Sequence, residues 1–248
     1  MSPKRLTLLI FLLLPLWVTA QEPKTLTLVA TDLPPFYAES LDSFGPVAVL
    51  VQEALQRRGY QVELKFYPFI RATALIKAGK ADAIIGLWYR TERENWAYYS
   101  RPLQGTEIAF LARKQDRIGY QQLSELKDKR IGISRGYANP AAIAGSKLHT
   151  EEADSDETNL RKLQLGRVDL IVISRNVAQY LIAHGPAEYQ GQFEFVGEPL
   201  AKEVFHLGVS KTRAGSLQLL EDFNLAIQSM EEDGSMATIL SPLSTSLN

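Results

Sequence analysis

The feature that most constrains this chain is an alternation of strand and helix that runs once and then starts again. Residues 24–30 alternate, with Leu26, Leu28 and Ala30 on one face, and lead into the rigid turn Thr31-Asp32-Leu33-Pro34-Pro35. Pro46 opens a helix whose Val47, Leu50, Val51, Ala54 and Leu55 repeat at helical spacing, closed by Arg57, Arg58 and Gly59. Val62, Leu64 and Phe66 alternate as a second strand, and the segment after Pro68 supplies the next helix and strand. This β-α-β-α-β order calls for parallel strands with helices packed on the sheet. After a strand at 106–112 the pattern restarts near Gln121: a strand at 130–134 entering Gly136, a helix ending at Gly166, a buried strand at 170–173 and a helix at 176–183. Asp154, three residues before Glu157, has capping-box spacing for the first of these helices. A strand at 204–209 follows, then an amphipathic helix at 217–230 and a final helix stopping near Pro242. Two units joined near Lys114 and Glu198 imply two lobes with a ligand cleft that closes by hinge motion.

One stretch in the first unit carries chemistry. Pro68 to Leu103, PFIRATALIKAGKADAIIGLWYRTERENWAYYSRPL, reads as a helix ending at Gly79, a short apolar strand, an aromatic turn and an arginine opening a helix. Trp88, Tyr89, Arg90 and Arg93 therefore fall at the strand's carboxyl end, where open α/β sheets bind ligands. A guanidinium beside aromatic walls suits a small carboxylate whose apolar part stacks on a ring. The competing reading is an arginine that is simply solvated or salt-bridged.

Residues 1–20 carry Lys4 and Arg5, an apolar run from Leu6 to Val18 interrupted by Pro15, and small residues at the end, the order of a cleavable signal peptide. The apolar run is shorter than the ~20 residues a membrane span needs. Export to the periplasm of a bacterium with two membranes is the expected destination. The chain has no cysteine, so neither a disulfide framework nor a lipid-attachment thiol is available. The leader holds two of the 27 Lys and Arg, leaving 25 against 28 Asp and Glu, a net charge of about −3 with the basic residues dispersed. That pattern argues against nucleic acid as a partner. His149, His184 and His206 stand apart, with no metal spacing and no nucleophile motif, so no metal or cofactor is expected.

With these elements in place, residues 26–240 resemble the periplasmic solute-binding proteins of polar amino-acid uptake systems, extracellular solute-binding protein family 3. The likeness rests on ATDLPPF, on KAGKADAIIG running into RTERENWAYYSRPL, and on LSELKDKRIGISRG, LRKLQLGRVDLIVISRN and MEEDGSMATIL in that order. The resemblance implies an α/β, two-lobed, type II periplasmic-binding-protein-like fold, each lobe a mostly parallel sheet flanked by helices, with the ligand cleft between them. Lobe 1 would comprise 21–112 plus 199–248, and lobe 2 residues 113–198. The implied protein is a monomer, not an enzyme, that passes an amino acid or related carboxylate to an inner-membrane ABC permease, or reports it to a membrane sensor. The same resemblance implies that Arg93 pairs with the ligand α-carboxylate, Phe36 lays a ring over the ligand, Phe69 forms an apolar wall, and Gly86 to Trp88 turn backbone groups toward the ammonium.

The sequence also departs from the family. Ser174 stands where amino-acid binders carry the aspartate that holds the ammonium. Burying an ammonium without a paired anion costs several kcal/mol, so either another carboxylate such as Asp32 serves or the ligand lacks a free α-amino group. Arg135-Gly136-Tyr137 replaces the usual glycine with small hydroxyl residues, placing a cation and a ring at the mouth of a helix. Thr91-Glu92-Arg93 is one residue shorter than the common spacing, which keeps Arg90 open as the carboxylate ligand. Arg71, in the PFIRA segment, would join Arg93 and Arg135 to favour a dicarboxylate or an acid without an ammonium. A rival reading, a dehydratase on the same fold, would need a positioned acid or base in the cleft, for which Asp32 and Glu107 are candidates.

Overall fold

The computed structural model describes residues 24–245, and the leader read at 1–20 lies outside them. The first run is β1 (Lys24–Ala30), α1 (Pro46–Gln56), β2 (Tyr60–Phe66), α2 (Phe69–Lys77) and β3 (Ala83–Trp88). Strand β1 lies parallel to β2, with Leu26 opposite Val62, and parallel to β3, with Leu28 opposite Ala83. Parallel neighbours require a long crossover, and α1 and α2 supply the two that are needed. Val47, Ala48, Leu50, Val51, Ala54 and Leu55 of α1 are all buried. They share one helical face, and at roughly 1.5–3 kcal/mol for each large aliphatic side chain buried, that face holds the helix in place.

The chain continues through β4 (Ala97–Tyr99), β5 (Gly105–Arg113), β6 (Arg130–Ser134), α3 (Ala141–Ala144), β7 (His149–Ala153), α4 (Asp156–Gln164), β8 (Leu170–Ser174), α5 (Arg175–His184), β9 (Phe193–Ser210), α6 (Ser216–Glu232) and α7 (Ser235–Thr245). Strand β6 is parallel to both β7 and β8. Strands β4, β5 and β9 are antiparallel to their neighbours, so each half is a mixed sheet rather than a mostly parallel one. The order is β2-β1-β3-β9-β5-β8-β6-β7, with β4 also on β9. Strand β9 is shared: residues 193–204 pair with β5, and 205–209 pair with β3. Because 108–112 of β5 pair with β8, they belong to the second sheet. The chain thus crosses between halves near Gly105 and Val204, several residues from the expected boundaries at 112/113 and 198/199.

Three local expectations are revised. Strand β9 begins eleven residues before Val204, through Gly197 and Pro199, which mask its alternation in the sequence. The N-cap of α4 is Ser155, whose hydroxyl accepts from Thr158 N at 3.1 Å, rather than Asp154. Helix α7 runs through Pro242 instead of stopping there. Proline cannot donate to the carbonyl four residues back, and the Ser241 hydroxyl donates to that Thr238 oxygen at 2.8 Å.

Candidate ligand cleft

The carboxyl ends of the parallel strands converge. Trp88 ends β3, Ser134 ends β6 and Ser174 ends β8, while Asp156 opens α4 just beyond β7. With the turn after β1 they enclose two small cavities of about 20 Å³ each, which share Leu33, Trp88, Tyr137 and Ala138 as walls. The first adds Ser134, Asp156 and Ser174. The second adds Tyr37, Phe69, Gly86 and Arg93. A single water occupies ~10–15 Å³ on this measure, so a solute enters only if the cleft opens or the Tyr137 ring moves.

Arg93 lies in the short 3-10 turn Thr91–Asn95 after β3 and is buried. Its Nη1 donates to the Trp88 carbonyl at 3.2 Å and its Nη2 to the Gly136 carbonyl at 3.4 Å. The guanidinium sits 5.1 Å from the centre of the Phe69 ring. Among the described residues no carboxylate lies within ion-pair distance of it, and burial lowers its pKa from the ordinary value. A buried cation held by carbonyls and a ring alone is costly, and an anion would compensate it.

The other expected cations are committed elsewhere. Arg90 forks onto Glu203 at 2.6 and 3.0 Å and donates to the Ala138 carbonyl at 3.0 Å. The Glu203 hydrogen bonds raise its pKa, and a fork so engaged is not open to a second carboxylate. Arg71 is exposed, 4.6 Å over the Tyr67 ring. Arg135 is exposed and pairs with Glu152 at 2.9 Å and Asp154 at 2.8 Å. Of Arg71, Arg90, Arg93 and Arg135, only Arg93 lines the paired inner cavities.

The aromatic wall is also redistributed. Phe36 is fully buried, edge-on to Phe205 at 4.8 Å, and lines neither cavity. Its neighbour Tyr37 does, and burial raises its hydroxyl pKa. Gly86 exists for that tyrosine: its φ is +81°, and a Cβ there would lie 1.8 Å from the Tyr37 hydroxyl. Tyr137 packs edge-on against Phe69 at 5.4 Å and Trp88 at 6.2 Å. Trp88 is buried, and its indole Nε1 has no partner.

Ser174 is spent on structure: its Oγ caps α5 by accepting from Val177 N at 3.4 Å and lies 2.6 Å from the Thr106 hydroxyl. Asp32, the expected substitute anion, is exposed and accepts from Glu39 N at 2.8 Å. Glu107 pairs with Arg175 at 3.5 Å and Lys202 at 3.4 Å. Neither acid lines the inner cavities. The carboxylate that does is Asp156, which the sequence reading missed. It is 8% exposed, accepts from the Ser134 hydroxyl at 2.6 Å, and burial pushes its pKa up to about 6. Its only signal in the sequence is an acid in the first turn of a helix, which ordinarily reads as a favourable helix-dipole contact. Among the described residues there is no group of three or more metal-ligating side chains.

Two mixed sheets sharing one strand, with an aromatic cleft and an uncompensated guanidinium at their strand ends, define a two-lobed solute-binding protein of type II topology. The chain belongs to the bacterial extracellular solute-binding proteins, family 3, whose profile matches residues 28–242. It is 24% identical over 211 residues to the L-cystine-binding protein TcyJ of Escherichia coli, covering 83% of this chain and 77% of that protein. It is 25% identical over 193 residues to the L-cystine-binding protein TcyA of Bacillus subtilis, covering 77% and 68%. In fold it is similar to an ancestral arginine-binding protein bound to arginine, with a TM-score of 0.77, 24% identity, and 90% and 99% of the two chains covered. These relatives are binding proteins of amino acids rather than enzymes.

Proposed function

We propose that the protein is exported to the periplasm as a monomer, captures a small carboxylate-bearing solute between its two lobes, and delivers it to an ABC-type permease of the inner membrane. The observation that carries this reading is Arg93, a buried guanidinium in the cleft with no acidic partner. The relatives bind cystine and arginine by name, and an α-carboxylate is common to both. Trp88 Nε1, buried in the same walls without a partner, supplies a further donor for such an anion. The first lobe would hold β1 to β4 with α6 and α7, the second β6 to β8, and the hinge would lie where β5 and β9 cross near Gly105 and Val204.

A thermal-shift screen of the purified chain against amino acids, dicarboxylates and neutral sugars tests the reading. A solute at 100 times its Kd stabilises the native state by about 2.7 kcal/mol, which is a rise in Tm of roughly 5–10 °C for a chain of this size. Shifts among the carboxylates are the expected result. Shifts confined to the sugars would overturn the assignment.

A further inference from the structure

The cleft has an occupant that is part of the chain itself. Tyr137 belongs to the loop after β6, in the second half, yet its side chain crosses to the first half. There its ring packs edge-on against Phe69 at 5.4 Å and against Trp88 at 6.2 Å, and its hydroxyl meets the Thr31 side chain just past the end of β1. The ring is a wall of both small cavities, so withdrawing it would join them into one space. The backbone on either side of it is held from the first half: Arg93 Nη2 donates to the Gly136 carbonyl at 3.4 Å and Arg90 Nη2 to the Ala138 carbonyl at 3.0 Å. A tight turn presents the ring, with Tyr137 N donating to the Ser134 carbonyl at 3.2 Å. On its outer side Tyr137 borders a second space, a groove of about 730 Å³ whose walls include Pro140, Ala141, Leu200 and Ala201.

We propose that Tyr137 is an internal plug: its ring holds the solute's place in the free protein and must swing out before a solute seats, so this one side chain sets how tightly, and how large, a solute the cleft takes. The proposal rests on the reading of the cleft as the solute site. The plug's contacts lie within one chain, so making them costs no association entropy, and a solute has to outcompete them. The turn and both arginine contacts are made by backbone atoms, so the ring can rotate about its own side-chain bonds without breaking them. The apolar outer groove beside Pro140 and Leu200 gives the displaced ring somewhere to go. With the plugged form favoured about tenfold over the open one, the apparent affinity for a solute is about tenfold weaker than that of the same cleft without the plug.

Calorimetric titration of wild type, Tyr137→Ala and Tyr137→Phe with the common amino acids, succinate and glucose tests this. Tyr137→Ala should bind the tightest of these solutes about tenfold more strongly than wild type does, with the larger gains among the bulkier solutes. Its unligated Tm should fall by about 5 °C or more, because the ring's packing is lost. Tyr137→Phe keeps the ring and should gain less than Tyr137→Ala. Opposite signs for affinity and stability are the mark of a plug. A merely structural role would lower the Tm and leave affinity within about threefold, and a wall that touches the solute would weaken binding on truncation; either result overturns the proposal. Which compounds bind tests the underlying reading separately. Carboxylates that bind with no gain in Tyr137→Ala would keep the carboxylate assignment and remove the plug. Glucose alone binding, and more tightly in Tyr137→Ala, would keep the plug and remove that assignment. If no compound binds either chain, both fall. Should Tyr137→Ala fail to melt cooperatively, Tyr137→Leu takes its place with the same expectations.

Discussion

At the scale of single residues, the cleft is built from groups that the fold holds at a cost. Burial raises the Asp156 pKa from 3.8 to about 6. For an acid whose folded pKa is raised, the contribution to stability is fully present below the unfolded value and is lost as pH rises through the folded one. At 1.36 kcal/mol per unit, the ionised carboxylate therefore costs the unligated protein about 3 kcal/mol above pH ~6. Around it, Tyr37 and Tyr137 have hydroxyl pKa values raised by burial and stay neutral in this range. Ser134 is uncharged, and Asp32, Glu157, Arg161, His184 and Glu188 are exposed along the outer groove. Asp156→Asn should raise the unligated Tm at pH 7.5 by roughly 6–12 °C and by much less at pH 4. Melting curves across that range check this, and equal values at pH 7.5 would contradict it. Gly86→Ala tests the Tyr37 seat: with its Cβ 1.8 Å from the hydroxyl and φ at +81°, it should lose about 2 kcal/mol or more in urea denaturation.

At the scale of elements, the parts that follow one rule were legible. Helix α1 shows proline at its start, six buried residues on one face and glycine after its end. Strand β3 is a bare apolar run between turn signals. Elements that obey two rules at once were not legible. The alternation of β9 is broken by Gly197 and Pro199 as the strand crosses between halves, and α7 carries Pro242 inside it. The site followed the same logic. Arg93, Trp88 and Phe69 line the cavities where a strand end and a following turn put them. Phe36 and Tyr37 are both buried in the turn after β1 and both pack edge-on against Phe205, yet only Tyr37 reaches the cavity wall, a difference that the spacing of a turn does not encode. Arg90 and Arg135 found partners that lie far along the chain or on a neighbouring strand, which no local pattern encodes, whereas Arg71 lies over the ring of nearby Tyr67. The Arg90 fork predicts its own test. Its partner Glu203 has a side chain only 10% exposed, so Arg90→Ala should cost about 3–5 kcal/mol by stranding that carboxylate. Adding Glu203→Gln should recover most of it in a double-mutant cycle.

At the scale of the whole molecule, the two halves share strand β9 and are tied to each other again across the cleft. Arg90 and Arg93, on the turn after β3, donate to the Ala138 and Gly136 carbonyls in the loop after β6. Gly136 permits that approach: its φ is +75°, and a Cβ would lie 2.8 Å from an Ile70 side-chain carbon at the start of α2. A solute that pairs with Arg93 adds its own bonds to those cross-cleft contacts and so favours the closed arrangement by its differential affinity for it. Calorimetric titration of wild type and Arg93→Ala, with the carboxylate solute that raises the wild-type Tm most, tests this most directly. Arg93→Ala should weaken binding by at least about 100-fold, about 3 kcal/mol, while its unligated Tm stays the same or rises. Affinity within about threefold of wild type would contradict the assignment of this guanidinium as the anion site.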